Sequence, residues 1–169
     1  MRGISQETII RRDVSEVWDH VSRLSFCRRF TESFFTGGRK LDYQVIRPED
    51  ALTRGPDDTL AVLYRGTQIK VATNKGKPWI TWRVTEMTPP RAFALQASDT
   101  ESWLGSYFAV IRLELSDLGE GKTRVNARLT LLFLNRALEV ASLLLPAGLL
   151  YGWSLRRMCR RLRDDLSAA

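Results

Sequence analysis

Residues 82–95 read WRVTEMTPPRAFAL, and this stretch decides the fold. It parses as a strand running to Glu86, a corner at Pro89-Pro90 and a second strand opening at Ala92. Neither proline can donate to a ladder and each fixes φ, so the chain must turn there. Further on, Gly119-Glu-Gly-Lys-Thr-Arg-Val125 sets a glycine-rich tip before an alternating run, the pattern of a hairpin. Phe93–Ala97, Tyr107–Leu115 and Thr123–Phe133 then form a meander. Within it Trp82, Val84, Phe93, Leu95, Ala97, Val125, Ala127, Leu129 and Leu131 share one face. Arg112, Glu114, Arg124, Asn126 and Arg128 share the other. One apolar and one polar face describe an antiparallel sheet with water on a single side.

Working outward, Glu7–Arg11 is a first strand rich in β-branched residues. Asp13 is placed to cap a helix, with Glu16 three residues on to complete a reciprocal capping box. Val14, Val17, Trp18, Val21 and Leu24 make one apolar stripe along it. A second short helix spans Phe26–Phe35, and Gly37-Gly38 stops it. Tyr43–Arg47 and the alternating Thr59–Arg65 read as strands, and Thr67–Thr73 as a continuation or a second hairpin arm. Gly66 marks a bulge or turn between these last two, and Asn74-Lys-Gly76 turns the chain into Trp79–Glu86. The last element runs from Asn135 to Leu166, apolar at every third or fourth residue, with Pro146 expected to kink or divide it. A curved antiparallel sheet closed by one long terminal helix follows, and that geometry encloses a cavity.

The 169 residues suit one domain over 1–169 with a sizeable core. Apolar content of 44% and charged content of 27% are ordinary for a globular protein. Met1-Arg2-Gly3-Ile4 does not begin a secretory leader, so the expected compartment is the cytoplasm, with Cys27 and Cys159 reduced. The formal charge of +7 is spread along the chain. No zinc-finger spacing, recognition-helix pattern or aromatic RNA-binding strand accompanies it, which argues against specific nucleic-acid binding.

His20 is the only histidine, so any nucleophilic triad would have to use it. It lies off the apolar stripe of its helix, which places it on the solvent side. One histidine and two distant cysteines do not make a zinc site, so no metal is expected. Without a dinucleotide fingerprint or phosphate loop, no cofactor is expected either. Acid/base groups must therefore be tyrosine, carboxylate or arginine. The candidates are Tyr64 and Tyr107 on strands, Glu86 at a strand end, and Asp99 and Glu101 in the loop before Tyr107. Tyr64, Trp82, Phe93, Leu95, Trp103, Leu145 and Leu149 are candidate ligand-lining residues. Residues 140–155, VASLLLPAGLLYGWSL, carry no charge and lead into Arg156, Arg157, Arg160, Arg161 and Arg163. The run is short for a membrane span and holds a proline. A helix gripped by the sheet is the favoured reading, and a helix lying on a membrane surface the lesser one.

A strand, a capped helix with Val17-Trp-Asp-His-Val21, a second helix, VTEMTPPRAFAL, GEGKTRVNARL and an amphipathic terminal helix together resemble the START/birch-pollen-allergen superfamily. Within it the chain is most similar to the polyketide cyclase/dehydrase-like proteins. The resemblance covers nearly the whole chain, although the loop at Arg47–Asp58 and the apolar run of the last helix exceed the shorter versions expected. It implies a helix-grip fold of class α+β, in which a curved seven-stranded antiparallel sheet wraps the terminal helix. It also implies an apolar ligand held in a cavity between them. Fold likeness says little about chemistry. The leading expectation is a cofactor-free protein that positions a polyketide-type substrate for cyclisation or dehydration, with Tyr107 and Asp99 or Glu101 as acid/base groups. The alternatives are a carrier or sensor of a lipid, quinone or isoprenoid, and a membrane-associated accessory protein.

Overall fold

The computed structural model describes residues 2–35, 41–46, 62–73, 78–99, 107–133 and 147–168. In chain order these form β1 (Arg2–Ile10), α1 (Val14–Val21), α2 (Leu24–Phe35), β2 (Leu41–Ile46), β3 (Gln68–Thr73) and β4 (Pro78–Thr88). They continue as β5 (Ala92–Asp99), β6 (Tyr107–Gly119), β7 (Lys122–Phe133) and a terminal helix, α3 (Ala147–Ala168). The seven strands make one sheet in the order β1-β7-β6-β5-β4-β3-β2, with every pairing antiparallel. β1 and β2 are therefore opposite edges, and α1 and α2 carry the chain from one edge to the other. That is why two short helices follow the first strand.

Register shifts at Val71/Ala72, Val84/Glu86 and Asp117/Gly119 add local bends to the sheet. The corner at residues 89–90 is a turn with a cis Pro89–Pro90 bond. At the β6–β7 tip Gly119, Glu120 and Gly121 all have positive φ, and Asp117 Oδ1 accepts the Gly119 N–H at 2.8 Å.

One face of the sheet is buried throughout: Trp82 and Val84, Phe93, Leu95 and Ala97, Ala109 to Leu115 at alternate positions, and Val125 to Leu131 likewise. Ile10, Val17, Val21, Phe30 and the α3 residues Leu155, Met158, Cys159, Leu162 and Leu166 complete the same core. α3 packs chiefly along β1 and also meets α2 and β7. Its C-terminal turn is tied down where Arg12 Nε donates to the Leu166 carbonyl at 2.8 Å. This is the helix-grip α+β fold, with the period-two pattern of the strands selecting the gripped face.

Two expectations need correcting. The capping box at α1 does not close: Asp13 has extended N-cap geometry but makes no side-chain capping bond. Glu16 instead faces Arg12 at 3.4 Å, a charged partner that competes for the carboxylate. Of the expected strand Thr59–Arg65, the described part is no strand of the sheet. Val62 forms a single bridge with Arg23, and the chain then turns at Arg65-Gly66, where Gly66 has φ +91°. The Leu63 N–H donates to the Ser22 carbonyl at 2.8 Å and its side chain is buried, which draws this segment to the α1–α2 junction. The first half of the expected last helix, with Pro146, lies outside the described residues, as does Thr59.

Cys27 on α2 and Cys159 on α3 are both buried free thiols. Burial pushes Cys159 up to about 12 and raises Cys27 as well, so neither is a thiolate at neutral pH. Native protein at pH 8 should leave both unmodified by an aromatic disulfide reagent, and denatured protein should titrate two thiols. A fast-reacting thiol in the native state would contradict this packing.

Candidate functional site

The candidate interior is built on β4, β5 and β6. Of the four described side chains expected to line an apolar interior, Trp82, Phe93 and Leu95 are each 1% exposed and face the core, while Tyr64 does not. Trp82 lies between Ile69 and Ala97 in cross-strand register. Its ring meets Phe30 of α2 edge-on, with centroids 5.5 Å apart and planes at 67°. Phe30 stacks with Phe26 at 6.4 Å, and Phe26 meets the His20 ring edge-on at 6.2 Å. Phe26, Phe30 and Trp82 therefore form an aromatic ladder from α2 onto the sheet, a rigid wall suited to planar apolar groups, with the His20 ring at its outer end.

Asp99 and Tyr107 are register partners at the end of the β5–β6 pair. They stand at the positions that continue the Phe93-Leu95-Ala97 and Ala109-Ile111-Leu113 series. The β5–β6 pairing thus sets these two candidates, neighbours across one hairpin connection, opposite one another, although their side chains, with that of Leu149 on α3, lie outside what is described. Glu101, Trp103 and Leu145 also lie outside the described residues. Tyr64 is in the turn before β3 and 41% exposed, so it does not share the buried interior.

Two half-buried tyrosines went unnoticed in the sequence. Tyr43 alternates inward on β2, donates its hydroxyl to the Arg28 carbonyl at 3.3 Å, and carries the Arg28 guanidinium 5.0 Å above its ring. Tyr151 on α3 packs against the core. Burial raises both phenols above their ordinary value, so they are hydrogen-bond donors rather than bases. The alternation of Leu41, Tyr43 and Val45 was the signal available for the first.

Glu86 is on the outer face of the sheet. Arg112 grips it with two bonds, Nε–Oε2 at 2.7 Å and Nη2–Oε1 at 2.9 Å, and also bonds Glu114. The Arg112 hydrogen bonds hold the Glu86 carboxyl below its usual range, so it is a fixed carboxylate and no general acid at neutral pH. Nearby, Arg65, Gly66, Arg83, Val84, Thr85 and Gln96 line an open cleft of about 610 Å³. Its arginine and amide donors suit anionic or polar groups, not an apolar ligand.

His20 departs from expectation. Its side chain is only 25% exposed and lies at the junction of α1, α2 and α3, where Asp165 ion-pairs with Arg29. His20 Nε2 is 3.8 Å from Asp165 Oδ2, too far to hydrogen-bond, and is buried with no hydrogen-bond partner among the described residues. Sequence reading missed this because α3 supplies the cover from the far end of the chain. The adjoining cleft between α2 and α3, about 10 Å³, is too small for an organic ligand. Burial lowers the His20 pKa below 6.5, with Arg29 and Arg23 adding to the shift and Asp165 opposing it. A base whose folded pKa is depressed favours folding fully above the unfolded value and loses that contribution as pH falls towards the folded value. Urea midpoints should therefore drop between pH 7 and pH 5, and His20→Gln should flatten that slope. An unchanged slope in His20→Gln would refute the assignment.

No protein-family model and no curated protein matches the sequence. Solved structures match along nearly its whole length. A hypothetical protein of Helicobacter pylori is 13% identical over 94% of this chain and 85% of its own, with a TM-score of 0.60. Norcoclaurine synthase of Thalictrum flavum, a point mutant in complex with a transition-state analogue, is 12% identical over 97% and 95%, at 0.56. The Aha1 dimer of Colwellia psychrerythraea is 14% identical over 98% and 96%, at 0.52. At such identities the likeness establishes the fold and nothing of the chemistry.

Proposed function

We propose that this chain, a helix-grip protein similar in fold to the START/birch-pollen-allergen superfamily, acts as one domain, in the cytoplasm, that binds a small apolar ligand between the sheet and its terminal helix. The observation that carries this reading is the continuous apolar inner face, with Trp82, Phe93 and Leu95 fully buried and the Phe26–Phe30–Trp82 ladder beside them. Leu145, Leu149 and Trp103 complete the lining in this proposal, and the ligand is polycyclic or chain-like. Among the described residues the buried polar side chains are serines and threonines, and the buried thiols are protonated. That favours holding a lipid, quinone or isoprenoid over reacting with it, and no cofactor enters the proposal.

A second reading is supported by the Asp99–Tyr107 register pair. In it a tyrosine hydroxyl and a carboxylate from Asp99 or Glu101 act on a polyketide-type substrate, in cyclisation or dehydration for natural-product biosynthesis. Norcoclaurine synthase, whose structure holds a transition-state analogue, illustrates that this fold can host an enzyme. Native mass spectrometry of the purified chain tests the shared claim. A retained apolar small molecule, displaced by organic solvent with one-to-one stoichiometry, is expected. A ligand-free protein that also takes up no lipid, quinone or polycyclic aromatic from a panel would overturn it.

A further inference from the structure

α3 buries one side and presents another. Leu155, Met158, Cys159, Leu162 and Leu166 are in the core, while Trp153, Arg156, Arg157, Arg160 and Arg163 are exposed. At about 100° per residue these five fall within an arc of roughly 120°, over a length of about 15 Å. Trp153 is 55% exposed, the most exposed large apolar side chain among the described residues, and the Arg157 guanidinium lies 5.2 Å above its ring. Acidic relief is slight. Arg163 Nε reaches Asp164 at 3.6 Å, and Arg156 Nε donates to the Gly152 carbonyl within the helix. Arg156, Arg157 and Arg160 have no acidic partner among the described residues.

We propose that this face of α3 docks on an anionic lipid bilayer. The inference is independent of what the interior holds. Charge complementarity selects the partner: four arginines on one flat helix face match a plane of phosphate and carboxylate headgroups. Trp153 favours a lipid surface over a nucleic acid, because an indole beside guanidinium groups settles at headgroup depth, partly apolar and partly wet. The sequence immediately before it, residues 140–152, contains no acidic residue. α3 docks by its exposed face, and no helix among the described residues is long and apolar enough to cross a membrane. The opposite side of α3 stays in the core, so docking requires no unfolding.

The test is co-sedimentation of the full chain with vesicles of phosphatidylcholine alone and of phosphatidylcholine with 30% phosphatidylglycerol (about one anionic lipid in three), at low and physiological salt. Each arginine near such a surface contributes roughly fivefold to partitioning. Binding to the anionic vesicles only, weakened by salt, is expected. R156E/R157E/R160E should reduce it at least about a hundredfold, and Trp153→Ala by several-fold, with thermal unfolding unchanged because these side chains are exposed. If the triple variant misfolds, R157Q and R160Q singly serve, each expected to lower partitioning about fivefold. Equal binding to both vesicle types, full retention of binding in the folded variants, or tighter binding to a single-stranded oligonucleotide at the same salt would each overturn the proposal.

Discussion

Trp82→Ala is expected to lower the unfolding temperature by roughly 6–20 °C. The indole is 1% exposed, lies between Ile69 and Ala97 in register, and takes Phe30 edge-on at 5.5 Å. Removing it deletes transfer energy and leaves a hole that β4 and α2 cannot both close, at about 3–5 kcal/mol. For a chain of this size each kcal/mol corresponds to about 2–4 °C. Trp153→Ala supplies the internal contrast. That ring is 55% exposed and loses mainly its contact with Arg157, so its change should stay within about 0.5 kcal/mol. Calorimetry of the two variants side by side decides the matter. A Trp82→Ala shift under 3 °C, or one no larger than that of Trp153→Ala, would remove Trp82 from the core and weaken the apolar interior proposed above.

Tyr107→Phe should separate the two functional readings. If the interior is catalytic through the Asp99–Tyr107 pair, deleting one hydroxyl should lower turnover by about 10²–10⁴ while ligand affinity and stability change little. His20→Ala should leave turnover intact, because that ring is at the α1–α2–α3 junction and outside the proposed interior. Steady-state rates with a poly-β-ketone substrate, alongside ligand titrations, read both. Unchanged turnover in Tyr107→Phe would discard the catalytic assignment and leave the carrier. Lost turnover in a folded His20→Ala would discard Tyr107 in favour of the histidine.

By itself the sequence determined the sheet, the gripping helix and the inward face of the strands. Alternation in β4 to β7 and the Pro89-Pro90 and Gly119–Gly121 corners are local properties, set by side-chain period and backbone stereochemistry. Trp82, Phe93 and Leu95 were legible for the same reason, since parity within a strand tells which side a residue takes. Tertiary structure alone decided the rest. His20 became buried because α3 brings Asp165 from the far end of the chain and α2 brings Phe26 and Arg29. Glu86 became a fixed carboxylate because β6 delivers Arg112 beside it, and Leu63 turned inward because Ser22 takes its N–H. Asp99 and Tyr107 became opposite partners only through β5–β6 register, and the basic face of α3 became a surface only because the other face found β1. Each of these depends on which distant group supplies a charge, a hydrogen bond or cover from water, and no pattern within one segment encodes that.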